Sequence, residues 1–278
     1  MLLKLKLKLE TREGWCCMAT AKNLNYQRLM VSLQAPVARI ILANPPVNVI
    51  DVPMMEELVT AMEEIEARPD IAAVVFAGSD RAFSAGVDVA AHTPDKVRDM
   101  LAKMHSVIRA MISTHKVTIA AVRGTCFGGG AELAAVCDLV FTTDTSNWGF
   151  PEITLGCFPP VAAVVLSAIV GQKRAADLIL TGRSISGEEA MRIGLANDAV
   201  PDDELAELVD ETAERLGKLS AASLAMAKKA LYAWDAIHFD KGLARAEKIY
   251  LEELMKLEDA HEGIAAFMEK RQPVWKGK

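Results

Sequence analysis

The sequence has few aromatic residues, no excess of positive charge and no long apolar run. Aromatic residues make up 5% of the 278 positions, and the 31 Lys and Arg are outnumbered by 37 Asp and Glu, which gives a net charge of −6. Without a basic stripe or an apolar run near the roughly 18 residues that span a bilayer, neither nucleic acid nor a membrane is an expected partner. The 51% of hydrophobic residues exclude disorder and predict a large core.

The cysteines do not follow the spacing of a disulfide framework or a metal site. Cys16 and Cys17 are adjacent, whereas Cys126, Cys137 and Cys157 lie in apolar segments. An odd number without a C-x-x-C pair argues against disulfides and against zinc. We interpret them as reduced thiols of a cytoplasmic protein, most of them core residues, and expect no metal ion.

The N-terminus alternates leucine with lysine and lacks the cleavage site of a secretory signal. We interpret residues 1–17 as a disordered extension, since Met18 is a second plausible start. The alternation is also compatible with a half-exposed strand, so the alternative is a strand that binds a membrane surface or a partner.

From Arg28 onward, strand-like runs alternate with helical periodicity. A hairpin is predicted around Ala35-Pro36, and apolar runs at 71–77 and 117–122 are typical of strands buried on both faces. The β-α-β-α order predicts an α/β fold with a mainly parallel sheet. After about Pro159 the strand pattern ends, and only helices are predicted. The predicted helices lie at 52–69, 94–115, 131–136, 161–170, 173–180, 187–193, 204–216, 221–236, 241–257 and 260–270.

Two glycine-rich segments follow predicted buried strands. Residues 81–89 (RAFSAGVDV) place small residues around Gly86, and residues 124–133 (GTCFGGGAEL) place three glycines before a helix. Amides at a helix N-terminus have no intrahelical partner, so a carbonyl oxygen that gains negative charge can bind there. Each segment by itself is equally compatible with an ordinary strand-to-helix turn, and the glycines do not form a phosphate-loop pattern.

Two glutamates stand in apolar, glycine-rich surroundings. Glu132 lies in the first helical turn after the glycines, and Glu152 lies within residues 148–156 (WGFPEITLG). Burial of the second would raise its pKa and make it a proton donor near neutral pH, and two such carboxylates can hold a water molecule. The alternatives are an ordinary helix N-terminal carboxylate and a surface-turn glutamate, and spacing does not show that the two meet.

Together, these three segments resemble the crotonase (enoyl-CoA hydratase/isomerase) superfamily. Two further stretches resemble this superfamily: residues 182–196, which begin with a segment interpreted as helical, and residues 259–271. The resemblance therefore extends from about Tyr26 to the C-terminus. It implies a spiral of ββα units in a core at 18–200 and a helical trimerisation region at 201–278, assembled as homotrimers or homohexamers. It also implies an acyl-CoA substrate and a hydro-lyase reaction without a cofactor, because CoA is part of the substrate.

The resemblance assigns site residues by position. The backbone N–H groups of Val87 and Gly129 would form an oxyanion hole for the thioester oxygen. Glu132 would activate water and Glu152 would transfer a proton at carbon, and the presence of both favours hydration or dehydration. The remaining residues expected at the substrate are Ala85, Gly86, Asp88 and Gly128, with Phe267 and Lys270 at the adenine and phosphate of CoA, often from a neighbouring subunit.

Two stretches differ from a typical short-chain enoyl-CoA hydratase. Residues 157–164 (CFPPVAAV) replace a proline and paired glycines, which changes the acyl-pocket wall. Residues 87–97 resemble cyclohexa-1,5-diene-1-carbonyl-CoA hydratases of anaerobic aromatic degradation, which form 6-hydroxycyclohex-1-ene-1-carbonyl-CoA. We predict that activity; the alternatives are a hydratase or isomerase of linear enoyl-CoA and a non-catalytic acyl-CoA-binding subunit.

Asp88 is expected to order its turn, and His92 is interpreted as a loop or cap histidine.

Overall fold

The structure is a computed structural model that describes residues 26–233 and 236–278. The predicted extension at residues 1–17 lies outside the described residues, as do the first positions of the predicted core. Within the described part, no helix is both long enough and apolar enough to cross a membrane.

Short strands form two sheets in the first 200 residues. In chain order they are β1 (Leu29–Ser32), β2 (Val37–Leu42), β3 (Ala73–Ala77), β4 (Ala82–Ser84), β5 (Val117–Val122), β6 (Thr125–Phe127), β7 (Leu139–Thr143), β8 (Asn147–Gly149), β9 (Ser184–Ser186) and β10 (Asp198–Val200). The larger sheet has the order β1-β2-β3-β5-β7-β10 and is parallel except for the β1–β2 hairpin. The predicted hairpin and the mainly parallel sheet are therefore confirmed.

Helices connect these strands and make up most of the chain after the last of them. They are α1 (Val52–Glu66), α2 (Val97–Ser113), α3 (Gly129–Ala135), α4 (Pro160–Val170), α5 (Gln172–Thr181), α6 (Gly187–Arg192), α7 (Leu205–Gly217), α8 (Ala221–Leu231), α9 (Ala236–Glu252) and α10 (Glu258–Met268). Short 3-10 turns lie at Val89–His92, Pro151–Leu155 and Leu254–Lys256.

The larger sheet is covered by helices on both faces, which explains why β3 and β5 are buried at every position. Val74 and Phe76 of β3 belong to the same apolar cluster as the buried faces of α1 and α2. Val75 and Ala77, which point the other way, pack with the buried side chains of α7. The core therefore lies on both sides of the sheet.

The smaller sheet has the strand order β4-β6-β8-β9, and its strands alternate along the chain with those of the larger sheet to form the predicted spiral. A strand of the larger sheet is followed directly by a strand of the smaller one and then by a helix or 3-10 turn, first in β3-β4, then in β5-β6-α3 and again in β7-β8. The predicted ββα repeats are thus present. Both glycine-rich segments and the Glu152 segment lie at the ends of the smaller sheet's strands.

The prediction that strands end near Pro159 is wrong, because β9 and β10 follow it. Residues 184–186 pair antiparallel with β8, and residues 198–200 pair with β7. Runs of three residues are too short to show a period of two, and their strand conformation comes from their distant partners. Two predicted helices are longer than the observed ones. The predicted helix 94–115 extends beyond α2 (Val97–Ser113) at both ends, and the predicted helix 221–236 extends beyond the C-terminal end of α8 (Ala221–Leu231).

The last helices pack back onto the core. α9 packs against α4 and α2, and α10 packs against the 3-10 turn Pro151–Leu155. Two glycines permit this approach: a Cβ at Gly263 would lie 2.1 Å from the Leu155 carbonyl oxygen, and one at Gly156 would lie 2.7 Å from the Asp259 carbonyl oxygen. The turn that contains Glu152 is therefore held from outside by the C-terminal helix. A trimerisation role for residues 201–278 stays a prediction.

Candidate active site

Two unpaired backbone N–H groups lie side by side in one cavity. Ile50 bonds to Gly86 and to Asp88, so the N–H of Val87 between them points away from Ile50. Gly129 begins α3, where an N–H has no intrahelical acceptor. Neither N–H donates a hydrogen bond within the described residues, and a Cβ at Gly129 would lie 3.6 Å from the Val87 nitrogen. The pair is suited to bind an oxygen that gains negative charge.

A buried side-chain network holds the segment that carries Val87. The Asn48 amide donates to the carbonyl oxygens of Ala82 (2.9 Å) and Phe83 (3.2 Å). The Ser84 hydroxyl donates to the Asn48 carbonyl oxygen at 2.7 Å and accepts from the Gly86 N–H at 3.1 Å. The turn is thus held by bonds to a residue 36 positions earlier in the chain.

Glu132 is 3% exposed and caps a helix other than its own. Its Oε1 accepts hydrogen bonds from the N–H groups of Val161 (2.9 Å) and Ala162 (3.0 Å), in the first turn of α4. Burial raises the pKa of Glu132 to about 7, and the two amide donors oppose that rise. The interpretation of Glu132 as an ordinary N-terminal carboxylate of its own helix is therefore insufficient, because its side chain caps α4.

The Glu152 carboxylate is buried in the same cavity, so the surface-turn interpretation is wrong. A Cβ at Gly128, whose φ is +51°, would lie 2.6 Å from Glu152 Oε1, and Oε2 has no hydrogen-bond partner within the described residues. Burial, and next the charge of Glu132, raise the pKa of Glu152 to about 8. The two glutamates, twenty residues apart in the sequence, thus line the same cavity.

The pair can hold one ionised and one protonated carboxyl near neutral pH. The amide donors favour the charged form of Glu132, whereas nothing in the described chain donates to Glu152 Oε2. The arrangement can therefore accept a proton at Glu132 and donate one from Glu152. Among the described residues, no group of three or more His, Cys, Asp or Glu side chains is arranged to hold a metal ion.

The cavity measures about 630 Å³ including its open mouth, and it contains most of the residues predicted for the substrate. Ala85, Gly86 and Gly128 line it together with the four groups described above. Phe158 and Pro160 line it from the stretch 157–164, which the sequence indicated as a changed pocket wall. Sequence reasoning missed the side chains from α2 and α9, because the apolar spacing of these helices is that of ordinary helix core. The missed lining residues include Met100, Leu101, Met104, His105 and Tyr250.

The remaining predicted residues lie outside the cavity or at its edge. Asp88 Oδ1 accepts from the Ala90 N–H at 3.0 Å and orders the turn Val89–His92, as expected. His92 lines the cavity, with Nδ1 3.1 Å from the Asp88 carbonyl oxygen. Phe267 (53% exposed) and Lys270 lie at the exposed end of α10, away from the two glutamates' cavity.

Comparison with known proteins agrees with this geometry. Residues 32–278 match the family model described as enoyl-CoA hydratase/isomerase. The chain belongs to this family. A cyclohexa-1,5-dienecarbonyl-CoA hydratase from Thauera aromatica is 38% identical over 240 residues, covering 86% of this chain and 93% of that protein. A probable enoyl-CoA hydratase from Rhizobium meliloti is 36% identical over 256 residues, covering 91% and 99%.

The fold is also that of solved family members. The crystal structure of an enoyl-CoA hydratase from Mycobacterium avium subsp. paratuberculosis matches with a TM-score of 0.81 and 26% identity, over 90% of this chain and 99% of that one. The predicted crotonase-type α/β fold is confirmed. The chain is an enzyme of the enoyl-CoA hydratase type, a hydro-lyase.

Proposed function

We propose that the enzyme adds water to a conjugated acyl-CoA thioester, with Glu132 as general base and Glu152 as general acid. The observation that carries this proposal is the convergence of two buried carboxylates and two unpaired N–H groups, of Val87 and Gly129, on one cavity. A binding subunit without chemistry has no need of two adjacent buried carboxylates, which oppose each other's ionisation.

The reaction follows from the protonation states of the pair. The N–H groups of Val87 and Gly129 bind the thioester oxygen and stabilise its developing negative charge by several kcal/mol. Glu132 takes a proton from water as the water oxygen bonds to the β carbon and the π electrons move toward the thioester oxygen. Glu152 then gives its proton to carbon, and proton exchange with solvent restores both groups.

We further propose cyclohexa-1,5-diene-1-carbonyl-CoA as the substrate and 6-hydroxycyclohex-1-ene-1-carbonyl-CoA as the product. The relative from Thauera aromatica supports this choice. So does the pocket wall, where Phe158 and Pro160 line the cavity within the stretch that replaces the proline and paired glycines of short-chain hydratases. With this substrate the hydroxyl group adds to the β carbon and the proton adds at the far end of the diene, so the acid must reach beyond the α carbon.

The substrate is tested by comparing cyclohexa-1,5-diene-1-carbonyl-CoA with crotonyl-CoA at equal enzyme concentration. We expect kcat/KM to be at least about tenfold higher for the cyclic diene, and NMR of the product formed in D₂O to show deuterium at the far diene carbon. A wide preference for crotonyl-CoA would assign the enzyme to linear enoyl-CoA substrates. That outcome would leave the roles of the two glutamates unchanged.

We also propose that Phe267 and Lys270 bind the adenine and phosphate of CoA in a homotrimer or homohexamer. Both residues are exposed at the end of α10, outside the cavity, where an aromatic ring and a cation suit these groups. From this position they are available to the active site of a neighbouring subunit.

A further inference from the structure

Tyr250 of α9 brings a buried hydroxyl group from the C-terminal helices into the active-site cavity. The residue is 1% exposed and lines the same cavity as Glu132 and Glu152. Within the described residues its Oη has no hydrogen-bond partner of ordinary geometry, and the polar group beside it is the weakly bonding Cys157 thiol. Buried polar atoms are nearly always paired, so an unpaired hydroxyl in a catalytic cavity points to a group that binds there.

The surroundings of Tyr250 fix its ring and offer its hydroxyl a weak neighbour, the Cys157 thiol. The ring contacts that of Phe158, with centroids 5.2 Å apart at 59°. The hydroxyl lies beside the Cys157 thiol, which is a weak hydrogen-bonding group and already donates to the Leu155 carbonyl oxygen at 3.6 Å. α9 also packs against α4, the helix whose first N–H groups bind the Glu132 carboxylate. The packing of these two helices therefore positions both the Tyr250 ring and Glu132.

Glu152 Oε2 is a second unpaired polar atom in this cavity. A donor beside a weakly bonding thiol and an acceptor without a partner, in one cavity, are suited to a small molecule that bonds to both. Burial, then the neighbouring Cys157 thiol and next the two carboxylates raise the pKa of Tyr250, so its hydroxyl stays protonated and can donate.

We infer that Tyr250 donates a hydrogen bond to the oxygen of the reacting water and, after the reaction, to the new hydroxyl group of the product. This inference rests on the proposed function. The water gives one proton to Glu132, directs one lone pair at the β carbon and accepts from Tyr250 with the other. As the proton leaves, the oxygen becomes hydroxide-like, and the phenolic donor stabilises that charge in both reaction directions.

The test is Tyr250→Phe, which removes the hydroxyl and keeps the ring against Phe158. We expect kcat to fall about 10- to 100-fold with little change in KM, because the bond is made to the reacting oxygen. The inhibition constant of the product, 6-hydroxycyclohex-1-ene-1-carbonyl-CoA, should rise about tenfold. That of cyclohexane-1-carbonyl-CoA, which has no hydroxyl group, should not change.

Tyr26→Phe is the matched control, because it deletes the same atom from a buried tyrosine hydroxyl in a separate groove beside Glu64. It should leave kcat and both inhibition constants unchanged. Unchanged kinetics in Tyr250→Phe would overturn the inference, and equal weakening of both inhibitors would assign Tyr250 to packing only. If Tyr250→Phe is normal while glutamine variants of Glu132 and Glu152 are inactive, the inference fails and the proposed function stands. Normal activity in those glutamine variants would refute the proposed function itself.

Discussion

Glu132 and Glu152 have the same side chain and share one cavity, but the backbone around them differs. Glu132 Oε1 accepts two N–H donors from the first turn of α4, whereas Glu152 Oε2 accepts none within the described residues. Burial raises the pKa of both, to about 7 and about 8. Burial thus brings the pKa of both groups near neutral pH, whereas the two N–H donors favour the charged form of Glu132.

This difference in donors depends on two different helix ends. Glu132 reaches the N-terminus of a neighbouring helix, where orphan amides and the helix dipole favour a negative charge. Glu152 lies in a short 3-10 turn that is pressed over Gly128 on one side and held by α10 on the other. The N-terminus of α4 therefore favours the ionised form of Glu132, whereas the 3-10 turn favours the protonated form of Glu152.

The largest expected effect comes from replacing each carboxylate by its amide. Glu132→Gln should lower kcat by about 10³-fold or more, and Glu152→Gln by about 10²- to 10³-fold, because each removes one proton-transfer group. In Glu132→Gln the new side-chain amide oxygen can still accept from Val161 and Ala162, so binding of cyclohexane-1-carbonyl-CoA should be largely retained. Steady-state kinetics and calorimetric titration check both parts.

The two variants also distinguish base from acid by their residual activity. In Glu152→Gln the loss of rate above about pH 8 should disappear, because the group that loses its proton there is gone. In Glu132→Gln the pKa of Glu152 should fall, because the neighbouring negative charge that raises it is gone. If either variant kept normal turnover, the division of roles between the two carboxylates would be wrong.

A smaller effect is expected from Gly128→Ala, which tests the position of Glu152 without changing it. The new Cβ would lie 2.6 Å from Glu152 Oε1, so the carboxylate must move, and we expect kcat to fall about 10- to 100-fold. Gly171→Ala is the control, since Gly171 also has a positive φ (+82°) but no atom within 4 Å of a new Cβ. Both variants should lose about 1–3 kcal/mol of stability, measured by thermal unfolding, because both glycines have backbone angles that other residues rarely adopt. Equal activity in the two would show that the contact with Gly128 does not position Glu152.

The smallest expected effect is the pH dependence of the unmodified enzyme. As the pH rises through about 7, Glu132 loses its proton and gains its function as base, so kcat/KM should rise. As the pH passes about 8, Glu152 loses the proton that it must donate, so kcat/KM should fall about tenfold per pH unit. The two limbs belong to the coupled pair. A flat profile between about pH 5 and about pH 10 would contradict the proposed protonation states.

Sequence patterns were enough to predict those elements of the fold that depend on neighbouring residues. The buried strands at 73–77 and 117–122, the hairpin and most helices followed from apolar periodicity and from Gly and Pro positions. Glu132 stood out because three glycines precede it at a predicted helix start, and Glu152 because of its apolar neighbours. Residue type and immediate neighbours carry this information.

Which of these groups come together depends on how the chain folds, and sequence patterns did not predict it. That Glu152 faces Glu132 depends on the pairing of β6 with β8, and that Glu132 keeps its charge depends on the amides of α4. In the sequence, Tyr250 has the spacing of an ordinary residue of an amphipathic helix. It lines the cavity because α9 packs against α4. Such contacts arise from the fit of side chains far apart in the chain, and local periodicity contains no information about them.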